Sequence, residues 1–159
     1  MAKVSFVNIK GLGKPSEYFS SFANFPLKED MIMGTLVALE HSTQKLIKAD
    51  QTNRPVGVVY FDTVTAENLY KMTGEMDLSS VCKAGERVEL FKHFLIANVT
   101  LKESWDNARI GDEIYLEGTA GSIKLTKTKP ATGWKVGTVE RIGDRLVRFD
   151  LANVIKIGG

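Results

Sequence analysis

The chain carries the stretch Gly34-Thr-Leu-Val-Ala-Leu-Glu40, and 77 positions later it carries the counterpart Gly111-Asp-Glu-Ile-Tyr-Leu-Glu117. A second pair follows in the same order, since Val56-Gly-Val-Val59 matches Val136-Gly-Thr-Val139 at an offset of 80 positions. Each copy has a glycine, a short strand, a turn, a further strand and a glycine-containing valine strand, which is typical of an antiparallel meander. We expect an all-β domain in which two related meanders, at about 34–59 and 111–139, pack as a sandwich or close a small barrel.

Four glycines of this repeat are expected to be structural. Gly34 and Gly111 stand before the first strand of each copy, where a glycine permits a positive φ or a bulge. Gly57 and Gly137 stand inside the valine strand, where the missing side chain lets another backbone approach closely. We therefore predict that all four determine the fold.

Most other segments from residue 31 onward also predict short strands. Apolar and polar residues alternate in them, and Gly, Asn, Asp, Thr and Pro separate them at short intervals. One short helix is predicted at 65–72, because Thr63 or Thr65 can cap its start and Gly74 can end it. Strands are predicted at 36–39, 45–49, 56–61, 88–91, 95–101, 113–117, 122–126, 134–139 and 146–151.

Length and composition place the chain among ordinary globular domains. Its 159 residues are 43% hydrophobic and 25% charged, which suits one domain with its own core. The only cysteine, Cys82, cannot form an internal disulfide. No apolar run is long enough for a transmembrane helix or a signal peptide, so neither export nor a membrane partner is expected.

Residues 1–30 differ in composition from the single β-domain expected at 31–159. Glycines and prolines interrupt any helical or strand period there, which predicts an extended N-terminal arm. An aromatic-rich arm needs a surface to cover it, either its own β-domain or a neighbouring molecule. We expect its aromatic residues to act as docking anchors, namely Phe6, Tyr18, Phe19, Phe22 and Phe25.

Basic residues concentrate towards the C-terminus, although the whole chain has a net charge of only +2. A dedicated nucleic-acid binder usually carries a stronger positive field, so a docking face for an acidic protein surface is the preferred interpretation. A small β-barrel that binds nucleic acid through these bases and Trp134 is the alternative. The possible basic docking face consists of Lys124, Lys127, Lys129 and Lys135.

Residue types that commonly carry out catalysis form no recognisable motif. His41 and His93 lie 52 positions apart, without the spacing of a zinc or di-iron site. Cys82 has neither a nucleophile motif nor a histidine near it in the sequence. The glycine runs match no dinucleotide or P-loop fingerprint. We therefore expect no catalytic, metal-binding or cofactor-binding residue, with an enzyme assembled from scattered residues as a further alternative.

A longer pattern runs through the C-terminal part of the chain. It consists of Ala108-Arg-Ile-Gly-Asp-Glu-Ile-Tyr-Leu-Glu117, then 121–127, then Gly133-Trp-Lys-Val-Gly-Thr-Val139, and finally Arg145-Leu-Val-Arg-Phe-Asp-Leu151. The stretches Met33-Gly-Thr-Leu-Val-Ala-Leu39 and Pro55-Val-Gly-Val-Val59 have the same character. Over about residues 31–60 and 84–155 the chain resembles the capsid decoration proteins of tailed phages, which are also named head-stabilisation or capsid cement proteins.

The resemblance implies a noncatalytic structural protein of the virion. Such a protein binds the outer surface of the icosahedral capsid, has the major capsid protein as its partner, and ties neighbouring shell subunits together. The resemblance further implies a homotrimer at or near local threefold axes, made in the host cytoplasm, with no nucleic acid as partner. The aromatic arm and the 62–82 insertion are less typical of the family, so the capsid-binding base of a head fibre is the alternative.

Overall fold

The structure is a computed structural model that describes residues 9–11, 21–32, 34–60 and 81–158. This part of the chain consists of short strands joined by turns, with one 3₁₀ turn at Ser21–Asn24 and no α-helix. The all-β class predicted from the sequence is confirmed, whereas the helix predicted at 65–72 lies outside the described residues. The strands are β1 Ile9–Gly11, β2 Met31–Ile32, β3 Leu36–Glu40, β4 Lys45–Lys48, β5 Pro55–Tyr60, β6 Val81–Cys82, β7 Glu89–Phe91, β8 His93–Ile96, β9 Glu113–Glu117, β10 Lys124–Thr126, β11 Gly133–Arg141, β12 Leu146–Asp150 and β13 Ile155–Ile157.

Two antiparallel sheets contain most of these strands. The smaller sheet has the order β4-β3-β5-β7, and the larger sheet has the order β1-β8-β12-β11-β9-β10. The two meanders predicted from the sequence are wrong in connectivity, because in each copy the first strand lies between the next two, as β4-β3-β5 and β10-β9-β11. Strand β13 pairs with the first residues of β11, and β2 pairs separately with β6. The described strands of the larger sheet do not close on themselves, so a sandwich fits the arrangement better than a closed barrel.

The main core lies between the two sheets. The rings of Phe94 and Phe149, both fully buried, stack at its centre with their centroids 5.2 Å apart. These two residues lie opposite each other in the larger sheet, and Phe91 of the smaller sheet meets Phe94 with ring centroids 6.4 Å apart. Burying a side chain of this size contributes roughly 1.5–3 kcal/mol, so the aromatic contact between Phe91 and Phe94 helps to hold the sheets together. The smaller sheet contributes Leu36, Ala38, Val58 and Phe91, and the larger sheet contributes Phe94, Ile96, Ile114, Leu116, Leu125, Val136, Val139, Val147 and Phe149.

A second core covers the opposite face of the smaller sheet. Val37, Val59 and Leu90 point to this face, and Leu27 and Cys82 pack against them from outside the sheet. The smaller sheet is therefore buried on both faces. This double burial explains why its valine strand is a continuous apolar run, since a strand with one wet face alternates apolar with polar residues.

The two sequence copies have matching backbone hydrogen bonds. The N–H of Gly34 donates to the carbonyl oxygen of Val59 at 2.8 Å. In the second copy the N–H of Gly111 donates to the carbonyl oxygen of Val139, also at 2.8 Å. Gly34 and Gly111 have φ angles of 83° and 92°, which side chains with a Cβ rarely adopt.

Strand register also matches between the copies. Val37 lies opposite Gly57 where β3 pairs with β5. Ile114 lies opposite Gly137 where β9 pairs with β11. In both pairs the register then shifts by one residue, so each valine strand has a bulge at the valine before its glycine.

The structural repeat begins earlier than the stretches recognised in the sequence. Each copy is preceded by a Leu-Lys-Glu tripeptide, at 27–29 and at 101–103. The N–H of Lys28 donates to the carbonyl oxygen of Leu46 on the edge strand β4 at 2.8 Å. The N–H of Lys102 donates to the carbonyl oxygen of Leu125 on the edge strand β10 at 2.7 Å. Each tripeptide therefore hydrogen-bonds to the outer edge strand of its own sheet.

The side chains of the two tripeptides repeat as well. The Nζ of Lys28 lies 2.7 Å from the Oε1 of Glu40, at the end of β3. The Nζ of Lys102 lies 2.8 Å from the Oε1 of Glu117, at the end of β9. We call residues 27–29 with β3, β4, β5 and β7 the N-terminal half, and residues 101–103 with β9 to β12 the C-terminal half.

The strand predicted at 95–101 is wrong beyond Ile96, where β8 ends. Asn98 has a positive φ of 57°, and its N–H donates to the carbonyl oxygen of Asp144 at 2.8 Å. The chain therefore turns away from the sheet, while Val99 and Leu101 stay buried in the main core. Apolar alternation in this segment reflects burial without strand pairing.

In the part of the chain that is described, no helix is long and apolar enough to cross a membrane.

Candidate docking surface

A groove of about 330 Å³ lies where the N-terminal half meets β11 and β13. The end of β3 and the turn before β5 form one wall, β11 contributes an indole, and β13 contributes a lysine. We call it the tryptophan groove, and it is lined by Phe22, Leu39, His41, Thr52, Asn53, Arg54, Val56, Trp134 and Lys156.

Strand pairing brings the two long side chains of the groove together. Lys156 of β13 lies opposite Trp134 of β11 in the register of the larger sheet. The Lys156 Nζ lies 4.9 Å from the centre of the Trp134 ring, within the range of a cation–π contact. The same Nζ donates to the carbonyl oxygen of Thr52 at 3.1 Å. Lys156 therefore links the turn before β5 to the larger sheet.

The turn at 50–54 has its own fixed conformation. The carboxylate of Asp50 accepts the N–H of Thr52 at 2.8 Å and the N–H of Asn53 at 2.6 Å. This geometry is an Asx-type turn, in which the aspartate replaces a backbone acceptor. The Nη2 of Arg54 donates to the carbonyl oxygen of Ala152 at 3.3 Å. The groove wall is therefore held at both ends of the turn.

The indole N–H of Trp134 has no acceptor among the described residues, although the atom is buried. The other tryptophan differs, because the Nε1 of Trp105 donates to the carbonyl oxygen of Val99 at 2.8 Å. Trp134 is 9% exposed, so its donor is removed from water without compensation. A buried unpaired donor costs about 1–3 kcal/mol.

The aromatic residues expected to be anchors fall into two groups. Phe22 lines the tryptophan groove, and Phe25 stacks on it with ring centroids 6.0 Å apart. Both rings are half-buried against the second core, so the described end of the arm contacts its own β-domain. The other three, Phe6, Tyr18 and Phe19, lie outside the described residues.

The four lysines of the predicted basic face are partly matched by acids. The Nζ of Lys135 lies 3.2 Å from the Oε1 of Glu113, and Lys124 is exposed on β10 opposite Glu117. Lys129 is exposed and Lys127 is half-buried. The region around β9 and β10 therefore carries mixed charge.

Tyr115 and Glu113 form a pair on β9 beside these lysines. The Tyr115 hydroxyl donates a short hydrogen bond to the Glu113 carboxylate. This bond and the one from Lys135 hold the pKa of Glu113 below its usual value. The same bond, with burial, raises the pKa of Tyr115 to about 12.

A second cleft, of about 470 Å³, opens beside Glu103 between β10 and the turn that follows it. The Glu103 carboxylate accepts the N–H of Lys127 at 2.6 Å, the N–H of Thr128 at 3.1 Å and the hydroxyl of Thr126 at 2.9 Å. Burial raises the pKa of Glu103, but these hydrogen bonds outweigh it and leave the pKa below its usual value. A carboxylate with this many donors fixes the chain leaving β10.

The two histidines and the cysteine lie in three different parts of the fold. His41 stands at the rim of the tryptophan groove, and His93 opens β8 opposite Asp150. Cys82 is buried in the second core, where burial and the charge of Glu86 raise the pKa of its thiol. Among the described residues no group of three or more His, Cys, Asp or Glu side chains could hold a metal ion.

Comparison of the chain with protein-family models, with curated proteins and with solved structures found no match. The tryptophan groove combines an indole ring with two cations and apolar side chains of the N-terminal half. Chemically it can bind a ligand that offers an anionic acceptor beside an apolar group. Sequence reasoning missed the groove because Lys156 reaches Trp134 only when β13 pairs with β11, and Arg54 reaches the same groove only through its contact with Ala152.

Proposed function

We propose that this chain is a noncatalytic structural protein of a tailed phage that binds the outer surface of the capsid and bridges its major capsid subunits. One observation carries the proposal. The segments that resemble the capsid decoration proteins, within 108–151, form four strands that follow one another in the chain and lie side by side in one sheet, in the order β10-β9-β11-β12. The resemblance therefore concerns one folded unit with a single strand order.

Two hydrogen-bonded sheet edges support a docking role for side chains. An open edge pairs with any extended chain, so a protein repeated many times on one shell must protect its edges. Of the four edge strands, β4 and β10 each accept a backbone hydrogen bond from a Leu-Lys-Glu tripeptide. At these two edges specific contacts fall to side-chain surfaces, and the tryptophan groove is the surface among the described residues that combines cations with an apolar wall.

The partners and assembly follow from the same proposal. The partner is the major capsid protein, and the chain acts as a homotrimer at or near local threefold axes of the capsid. Each contact is modest in strength, because many equivalent contacts around a shell add their effects through avidity. The protein is made in the host cytoplasm and resides on the outside of the virion.

Quantitative mass spectrometry of purified virions tests this proposal. Particles from a phage that encodes the chain should contain it at a fixed molar ratio to the major capsid protein. Surface biotinylation of intact particles should label it before it labels internal proteins. Its absence from purified particles, or its labelling only after the shell is opened, would contradict the proposal.

A further inference from the structure

We infer that the tryptophan groove binds an acidic peptide segment of the partner protein, with a carboxylate near Arg54 and Lys156 and an aliphatic side chain against the apolar wall. The inference deepens the proposed function, because the identity of the partner as a shell protein rests on it. The chemistry of the segment rests on the groove alone.

Charge complementarity is the first argument. Arg54 and Lys156 are both exposed, and the described lining of the groove contains no carboxylate. The acids next to the lining in the sequence are already engaged, since Glu40 lies 2.7 Å from the Lys28 Nζ and Asp50 accepts two backbone N–H groups of its own turn. The positive charge of the groove is therefore open to an anion supplied by a partner.

The donors of the groove are only partly used. A guanidinium has five N–H donors, and among the described residues Arg54 uses one of them, to the carbonyl oxygen of Ala152. An ammonium has three N–H donors, and in the same part of the chain Lys156 uses one of them, to the carbonyl oxygen of Thr52. A carboxylate accepts several such donors at once, which makes it a better match than a neutral acceptor.

Apolar side chains specify the remainder of the ligand. Leu39 and Val56 contribute apolar surface to the lining of the groove, with Leu39 half-buried and Val56 buried. An aliphatic side chain next to the acidic residue would cover them. The combined requirement is an acidic peptide with neighbouring aliphatic residues.

A peptide fits this groove better than a nucleic acid does. Binding of single strands depends on aromatic faces that are open for base stacking. Trp134 is only 9% exposed, and the Lys156 ammonium lies over its ring. The groove therefore offers charge and an apolar wall without a stacking platform.

Fluorescence anisotropy with the full-length chain tests the inference. The probe is a labelled peptide of alternating Glu and Leu, compared with the same peptide carrying Gln at every Glu position and with a labelled oligothymidylate. We expect the Glu peptide to bind at least about tenfold more tightly than the Gln peptide. Arg54→Gln and Lys156→Gln should each weaken its binding about fivefold or more, whereas the matched exposed control Lys124→Gln should change it less than about twofold.

Intrinsic fluorescence supplies a second readout at the groove itself. Binding of the Glu peptide should change the tryptophan emission of the wild-type chain, and Trp134→Phe should abolish the change while Trp105 continues to emit. Thermal melts of each variant show that the fold is intact. If Arg54→Gln proves unstable, the loss of Glu-peptide binding in Lys156→Gln tests the same inference.

Three outcomes would overturn the inference. The first is equal binding of the Glu and Gln peptides, and the second is a loss in Lys124→Gln as large as in Arg54→Gln. The third is tighter binding of the oligothymidylate than of the Glu peptide, if Arg54→Gln abolishes that preference.

Binding to capsid shells separates this inference from the proposed function. If shells bind wild type and Arg54→Gln equally, the proposed function stands and the groove is not its docking site. If the chain binds the Glu peptide but not shells, the groove inference stands and the proposed function is contradicted.

Discussion

A β-carbon added to Gly137 would lie 2.3 Å from the carbonyl oxygen of Arg148 on the neighbouring strand. The N-terminal half has the same close approach, since a β-carbon on Gly57 would lie 3.0 Å from the carbonyl oxygen of Phe91. Real β-carbons do not approach a backbone oxygen as closely as the 2.3 Å that Gly137 would require. Both halves therefore use a glycine to let β7 or β12 pass close to the bulge in the valine strand.

The first prediction concerns this close approach. Gly137→Ala should lower the free energy of unfolding by roughly 1–3 kcal/mol, because the neighbouring strand must move. Gly143→Ala is the matched control, since no atom lies within 4 Å of its added β-carbon. Urea unfolding of the free protein measures both. Equal stability of the two variants would show that the strands separate at no cost.

The second prediction concerns Glu103. Glu103→Gln should lower the free energy of unfolding by about 1–2 kcal/mol at neutral pH, because it weakens charge-assisted bonds from Thr126, Lys127 and Thr128. Glu29→Gln is the control, since Glu29 occupies the equivalent place in the N-terminal half and, among the described residues, makes only an exposed 3.7 Å ion pair with Lys48.

The effect of Glu103 should also depend on pH. The folded-state pKa of Glu103 lies below its ordinary value of 4.5. Its contribution is therefore fully present above pH 4.5 and is lost as the pH falls through the lower folded-state value. The stability difference between wild type and Glu103→Gln should shrink below pH 4.5. A difference that stays constant down to the acid transition would contradict this assignment.

The third prediction concerns Tyr115. Its folded-state pKa is about 12 against an ordinary value of 10.0, so the folded state holds the proton more firmly than the unfolded chain does. This contribution is complete below pH 10 and is lost as the pH rises towards 12. Stability should therefore fall more steeply over this range in wild type than in Tyr115→Phe, as measured by urea unfolding. Parallel curves would show that the bond to Glu113 is absent in solution.

Much of the fold could be predicted from local pattern alone. Strand β9, Glu113–Glu117, has the predicted bounds, and β3 extends the predicted 36–39 by one residue. Apolar alternation and a leading glycine are local signals, so one sequence is enough to recognise them. The Leu-Lys-Glu tripeptides at 27–29 and 101–103 were missed, because three residues have no period and their role depends on a distant edge strand.

The candidate site was only partly predictable for the same reason. Phe22 was expected to be a docking residue from its aromatic surroundings in the sequence. Lys156 becomes a neighbour of Trp134 only through the pairing of β13 with β11, and Arg54 joins the same groove only where the turn before β5 packs against the segment that leads into β13. A three-residue strand such as β13 carries no periodic signal, so the groove emerges only at the level of tertiary structure.

The fourth prediction concerns assembly. The resemblance to the capsid decoration proteins leads us to expect a closed homotrimer, in which neighbouring copies cover surface that one copy leaves exposed. Sedimentation equilibrium at micromolar concentration should give about three times the mass of one chain. A monomer at all concentrations, both free and on shells, would contradict the trimer.

Shell binding tests the central claim most directly. The purified full-length chain is mixed with assembled shells that lack it and, separately, with unassembled major capsid protein, and each mixture is sedimented. We predict saturable binding to the assembled shells at a fixed ratio, density on their outer surface by electron cryomicroscopy, and weak binding to the unassembled subunits. Failure to bind assembled shells, or density confined to their interior, would contradict the account.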